Sequence, residues 1–357
     1  MKNTFELQHN TTMNDLASFD EIREYLKKKH RIVNLLLGNG FSISYKPDIF
    51  SYNALSKFIE ESDNAQLRKL FEIVKTKNFE EILDRLTVCY EFLITFGIKK
   101  EILDIIQKAE SDLKNSLIDA IKSMHPEHVF TIPDAEQSLC LKFIKTFLDS
   151  GGEIFSSNYD LLLYWVLMRS NLVEQDIIGD GFGRDKECEG DGATYSELRW
   201  GKNSEKQKIH YIHGALFLFD DGINIIKEEY DGNFLLDNIK KRIENRQYPI
   251  FVAAGNAEEK LRHIMHNKYL IFCYKKLSNV RGSIVTHGLS FGTNDKHIID
   301  ALNNAHAQQD QDKKLRSVYI GVYSEKDLEH IKTYVAEQFS KTLKINVYNA
   351  STAKIWR

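Results

Sequence analysis

Cysteine is scarce. The 357 residues hold four, at positions 89, 140, 188 and 273, with no C-x-x-C pair among them. That spacing argues against a zinc ribbon and against a disulfide framework, and isolated cysteines suit a reducing compartment. Long apolar runs are missing too: none approaches the ~18 residues that a membrane-spanning helix needs. The opening stretch, MKNTFELQHNTTMNDL, is too polar for a secretory leader. The expectation is a cytoplasmic protein with no membrane partner. Neither sign of charge dominates, with 48 Lys and Arg against 51 Asp and Glu, a net charge of −3. Such a chain offers nucleic acid no basic field, and the lysine-rich runs REYLKKKHR and DKKLR read as solvated helix ends.

What is present is enough apolar side chain, 42% of residues, for a large α/β core. Residues 17–30 have the three- and four-residue apolar spacing of an amphipathic helix and feed a buried strand over Ile32–Leu37. From Tyr52 to Leu148 the pattern is almost wholly helical, interrupted at Gly97 and at the two prolines of HPEHVFTIPD. Strand patterns resume in GGEIFSSNYD, KIHYIHGALFLF, YPIFVAAG, SIVTHGLSFG, SVYIGVY and KINVYNAS. Helices are expected between several of them, at Leu161–Arg169, Glu258–Lys276, Asp295–Ala307 and Glu325–Phe339. Residues 178–208, rich in glycine and charge, read as a long loop with at most one short strand. The alternation predicts an α/β, Rossmann-like parallel sheet with helices on both faces and a large helical insertion after the first strand. We read one domain over 1–357: 17–50 supply the first helix, strand and glycine loop, 51–150 the insertion, and 151–357 the rest of the core.

Ligands of open parallel sheets sit beyond the carboxyl ends of the strands, so the residues that follow each strand carry the interest. GNGFS contains Gly38, Asn39, Gly40, Phe41 and Ser42. Glycines there permit a tight turn and close approach of a ligand, and a helix starting near Ser42 would offer free N–H groups to a phosphate. The loop is neither G-x-G-x-x-G nor a P-loop, and a plain turn explains it as well. In SSNYD, Asn158 or Asp160 suits the N-cap of the next helix. His210 and His213 lie three apart and would face opposite sides of a strand. HGLSFGTND contributes Gly288, Ser290 and Asp295, the last also a candidate helix cap.

In order, strand–GNGFS, helical insertion, strand–SSNYD, strand–IHG and strand–HGLSFGTND resemble the sirtuin-like (silent-information-regulator type) NAD-binding fold from about Ile32 onward. Asn39 stands where that family has Ala, Ser156-Ser157 where Thr-Gln or Thr-Thr is usual, and the four-cysteine zinc module of the deacylating members is missing. The closer likeness is therefore to the zinc-free sirtuin-like NAD hydrolases of bacterial antiphage defence.

The resemblance implies NAD as substrate and no metal. It implies that Gly38, Asn39, Gly40, Phe41 and Ser42 hold the pyrophosphate and that Asn158 orients the ribose and the attacking water. His213 would be the general base, Asp160 would hold the loop, and Gly288, Ser290 and Asp295 would position the adenosine end. It further implies a homo-oligomer, with a partner protein or phage trigger controlling activity. Two other readings stay open from sequence: a module that senses NAD or ADP-ribose without cleaving it, and a zinc-free ADP-ribosyltransferase or deacylase acting on protein.

Overall fold

The computed structural model describes residues 7–8, 10–46, 65–74, 79–123, 129–170, 179–184, 197–229, 234–252 and 256–357. Its centre is a seven-stranded, wholly parallel sheet in the order β1-β12-β11-β10-β2-β3-β6. These strands are β1 (Ala17–Ser18), β2 (Val33–Leu37), β3 (Ile154–Ser156), β6 (Ile209–Tyr211), β10 (Gly282–His287), β11 (Leu315–Val322) and β12 (Lys344–Asn349). Helices cover both faces, as the alternating pattern predicts. The expected strand and helix following residue 17 form as β2 and the helix Phe19–Lys28. Ser18 starts that helix: its Oγ accepts from Glu21 N–H at 3.3 Å while Glu21 Oε2 accepts from Ser18 N–H at 2.8 Å.

β2 lies inside the parallel sheet, between β10 and β3. All five of its residues are buried, which is why it reads as a continuous apolar run rather than an alternating one. Its register is held by the single polar side chain in the strand. Asn34 Nδ2 donates to the carbonyls of Arg281 and Ser283 at 2.8 and 3.0 Å, and its Oδ1 accepts from Glu153 N–H at 2.9 Å. A strand beside β2 on each side is thus tied to one buried amide. Chain order runs β2-β3-β6 in one direction across the sheet and β10-β11-β12 in the other. The direction reverses between β2 and β10, and that reversal is where open α/β sheets bind ligands.

Residues 178–208 differ from expectation. A second, five-stranded antiparallel sheet in the order β4-β5-β8-β7-β9 uses β4 (Phe182–Gly183), β5 (Leu198–Trp200), β7 (Gly214–Asp220), β8 (Ile225–Lys227) and β9 (Pro249–Phe251). KIHYIHGALFLF is therefore two strands in two sheets, and YPIFV belongs to the second sheet rather than the parallel one. The change of sheet happens at Gly214, where φ is +73° and an added Cβ would stand 2.0 Å from the Ile250 carbonyl oxygen. Only glycine passes that corner.

Helices Ala65–Val74, Phe79–Thr95 and Lys100–Ser123 form within the expected insertion, whereas NALSKFIEES lies outside the described residues. The helix expected over Glu258–Lys276 is two, Ala257–Ile264 and Lys268–Leu277, because Asn267 caps the second through the N–H groups of Tyr269 and Leu270. Among the described residues no helix is long and apolar enough to cross a membrane.

Candidate functional site

The parallel sheet puts the residues after β2, β3, β6 and β10 along one edge. The GNG loop after β2 touches the loop after β10 directly: Gly38 N–H donates to His287 O at 2.9 Å, and Gly40 N–H to Gly288 O at 2.8 Å. Neither Gly38 nor Gly40 has a positive φ, so the expected reason for them is corrected. They are needed for close approach. A Cβ on Gly40 would lie 2.6 Å from Gly288 Cα, and one on Gly38 2.5 Å from Gly288 O. Gly288 itself turns at φ +70°. Asn39 precedes the helix Gly40–Tyr45, and its Nδ2 is buried without a hydrogen bond. The Phe41 ring faces away into the core, 5.1 Å from the Trp356 ring, and its carbonyl accepts from Trp356 Nε1 at 3.1 Å. A side-chain contact from Phe41 to a ligand is thereby removed.

Ser42, Asn158 and Asp160 are brought together and all are buried. Asn158 Nδ2 donates to Ser42 Oγ at 3.0 Å, and Ser42 Oγ donates to Asp160 Oδ2 at 2.6 Å. Asp160 Oδ1 accepts from Leu162 N–H at 2.9 Å, at the start of the helix Leu162–Met168. Asp160 thus does the capping that the sequence allotted to it or Asn158. Burial raises its carboxyl above the usual range, and the Ser42 and Leu162 bonds work the other way.

His213 follows β6 and is buried. Its Nδ1 lies 3.2 Å from the Ser157 carbonyl, and its Nε2 lies 2.8 Å from Nε2 of His297 on the helix Lys296–His306. A carbonyl only accepts, so His213 carries its proton on Nδ1. His297 Nε2–H then donates to the bare His213 Nε2. Burial, His297 and the Lys260 ammonium together hold His213 well below the ordinary histidine range, against the Ser157 carbonyl. His297 is pushed down to about 3 by burial and then Lys260, with the Asn294 backbone opposing. Both rings are therefore neutral at pH 7. His210, by contrast, serves the sheet: its Nε2 pairs with Glu153 Oε2 at 2.9 Å and its ring stacks on Phe155.

From sequence Asp295 is a candidate for an adenosine contact or a helix cap. Its side chain caps nothing and instead accepts from Lys260 Nζ at 3.3 Å, both residues buried. Ser290 is exposed and stands apart from this network. The sequence reading missed His297 and Lys260. Lys260 sits in AEEKLRHI, an ordinary amphipathic helix pattern behind an Asn256–Glu259 capping box. His297, two residues beyond GTND, was the visible clue, since a histidine opening the helix after a strand-end loop starts at the same sheet edge.

A family model spans nearly the whole of this architecture, matching residues 35–356. The chain belongs to the family described as Domain of unknown function (DUF4917). The family's matched span opens inside β2 and ends at Trp356, so it leaves out β1 but contains the GNG loop, the whole antiparallel sheet and every site residue named above. A comparison with curated proteins finds no match. Among the described residues, no group of three or more His, Cys, Asp or Glu is placed to hold a metal ion.

Proposed function

We propose that the protein is an NAD hydrolase that cleaves the bond between ribose C1′ and nicotinamide, releasing nicotinamide and ADP-ribose. The observation that carries this reading is a pair of hydrogen bonds on adjoining residues of one strand end. Asn158 bonds Ser42 in the helix after the glycine loop, and the neighbouring Ser157 carbonyl meets His213. An amide and an imidazole on adjoining strand ends, beside a glycine loop at the sheet's switch point, can position a ribose and a water and take up a proton.

The expectation of free N–H groups at this helix start is corrected, since the N–H groups of Gly38, Gly40, Phe41, Ser42 and Ile43 already donate to backbone carbonyls. In this account the GNG loop faces the pyrophosphate with the bare amide of Asn39 as its donor. Asn158 Nδ2 is committed to Ser42, which fixes the amide plane and leaves Oδ1 to orient a ribose hydroxyl or the attacking water. The C1′–N bond breaks with its electron pair passing to the pyridinium nitrogen, so the departing nicotinamide is neutral. The water oxygen bonds to C1′ and its proton goes to the histidine pair. Asp160 holds Ser42 and the next helix. Asp295 supports Lys260 rather than the adenosine.

By the same resemblance, the biological role is that of an NAD-depleting effector in bacterial antiphage defence, controlled through assembly of the helical segment. The test is incubation of the purified full chain with NAD and chromatographic separation of products. Stoichiometric nicotinamide and ADP-ribose support hydrolysis. Bound but intact NAD would favour the sensing module, and ADP-ribose attached to protein would favour transfer.

A further inference from the structure

A tyrosine at a protein surface ordinarily buries its ring and keeps its hydroxyl in water. Tyr323 does the reverse. It directly follows β11 and is 41% exposed, yet its Oη is turned inward onto Nε2 of the buried His287 at 2.5 Å. Burial pushes that hydroxyl above the ordinary tyrosine range, so it stays a donor at neutral pH. What the side chain leaves outside is its aromatic ring.

The pin is well defined. Tyr348 Oη gives its one proton to the Thr286 carbonyl at 3.0 Å, so it accepts from His287 Nδ1 at 3.3 Å. His287 Nε2 is then bare and takes the Tyr323 proton. The rings of Phe143 and Tyr323 stand edge-on to the imidazole, with centroids 5.7 and 5.5 Å away. His287 is also the residue whose carbonyl accepts from Gly38 N–H at 2.9 Å. One residue at the end of β10 thus holds the glycine loop by its backbone and Tyr323 by its side chain. The ring is ordered before any ligand arrives, which lowers the entropy cost of stacking on it.

The order of strands says which part of a dinucleotide would meet this ring. Along the sheet edge the sequence is β11, β10, β2, β3, β6. Asn158 and His213 follow β3 and β6, and the glycine loop follows β2. With the scissile bond over β3 and β6 and the pyrophosphate at the glycine loop, the adenosine end extends over β10 and β11. Of the residues that sequence assigns to that end, Asp295 is bound to Lys260, and Ser290 has no flat surface for a base. We propose, resting on the NAD hydrolase reading above, that the exposed ring of Tyr323 is the platform on which the adenine stacks, with His287 as its positioning residue. Stacking on one aromatic ring suits any flat base, and it needs no movement of the chain, because the ring is already exposed.

The test titrates ADP-ribose into the full chain by calorimetry. Tyr323→Leu keeps apolar bulk but removes the aromatic face, and it should weaken binding at least about fivefold. Tyr323→Phe keeps the face and should bind within about threefold of wild type. With NAD as substrate, Tyr323→Leu should raise KM by a similar factor and leave kcat within about twofold, the mark of binding lost equally from ground and transition states. A smaller loss of ADP-ribose affinity in Tyr323→Leu, or an equal loss in Tyr323→Phe, would overturn the platform. A second readout needs no variant, should either fail to fold once His287 loses its donor. Nuclear Overhauser contacts should join the adenine ring protons of bound ADP-ribose to the Tyr323 ring protons, and bound ADP-ribose without them would overturn the proposal. Failure of the hydrolase reading looks different: the wild-type chain then releases no nicotinamide from NAD, whereas the adenine contacts to Tyr323 persist.

Discussion

Asn158 Nδ2 and Asp160 Oδ2 meet on opposite sides of one hydroxyl, Ser42 Oγ, at 3.0 and 2.6 Å. That hydroxyl ties the loop after β3 to the helix after β2, two elements 116 residues apart in the chain. Ser42→Ala leaves a buried amide and a buried carboxyl each short of a partner, and should cost about 1–3 kcal/mol of stability by urea unfolding. Asp160→Asn is the informative companion. Asn still accepts from Leu162 N–H and can bond Ser42, so nicotinamide release should stay within about tenfold of wild type. A fall of more than 100-fold would make Asp160 a proton-transfer group instead of a support.

Lys260 and Asp295 form a buried pair whose members depend on each other. Lys260→Met should cost about 3–5 kcal/mol, because Asp295 is left charged and unpaired away from water. Lys260→Met with Asp295→Leu should recover most of that loss in the same unfolding assay. A double variant as unstable as the sum of the singles would show that the two side chains are not coupled.

Acid should destabilise the fold through histidine. His287 is buried, accepts from Tyr323 Oη at 2.5 Å, and is pushed down to about 3 by burial. The unfolded chain protonates it near the ordinary value of about 6.5. Below that pH the unfolded state binds a proton the folded state refuses, so stability is full above pH ~6.5 and falls toward pH ~3. The slope is at most about 1.4 kcal/mol per pH unit for each such residue. His287→Phe should be less stable at pH 7, having lost its tyrosine partners, yet show a flatter decline by about 1 kcal/mol per unit between pH 6 and 4. Parallel declines in urea unfolding would contradict the assignment.

The helical segment bears an exposed apolar face. Phe92 and Phe96 are 60% and 76% exposed, and Ile94, Ile102 and Ile105 accompany them. Surfaces of this kind mark association sites. The oligomer expected from the resemblance would use this face, and Phe92→Glu with Phe96→Glu should then lower the mass seen in sedimentation without lowering the melting temperature. An unchanged mass would place any assembly elsewhere.

Sequence made the parallel sheet legible because its strands are apolar runs, each followed by glycine or a small polar cluster. Once the sheet is parallel, the ends of β2, β3, β6 and β10 must share an edge, so Ser42, Asn158, Asp160 and His213 converge as the motif order suggests. The second sheet was illegible for a plain reason. Its β4 and β5 are two and three residues long, too short for a period of two to register. Gly38 and Gly40 were visible, but their purpose was not: whether a glycine turns the chain or admits another loop is a tertiary fact. Lys260 comes from a helix on which nothing local distinguishes a buried polar residue from a solvated one, whereas His297 had a local clue in its place just after the GTND loop. Phe41 and Asp295 show the converse, since proximity in a motif placed them toward a ligand while packing turned them to Trp356 and Lys260.

The most direct test of the central claim is nicotinamide release from NAD by the purified chain, measured beside Asn158→Ala and His213→Ala after each variant is shown to melt cooperatively. The account predicts turnover by the wild type and a loss of about 100-fold or more in both variants. Absence of nicotinamide from the wild-type reaction, or undiminished release by Asn158→Ala, would contradict it.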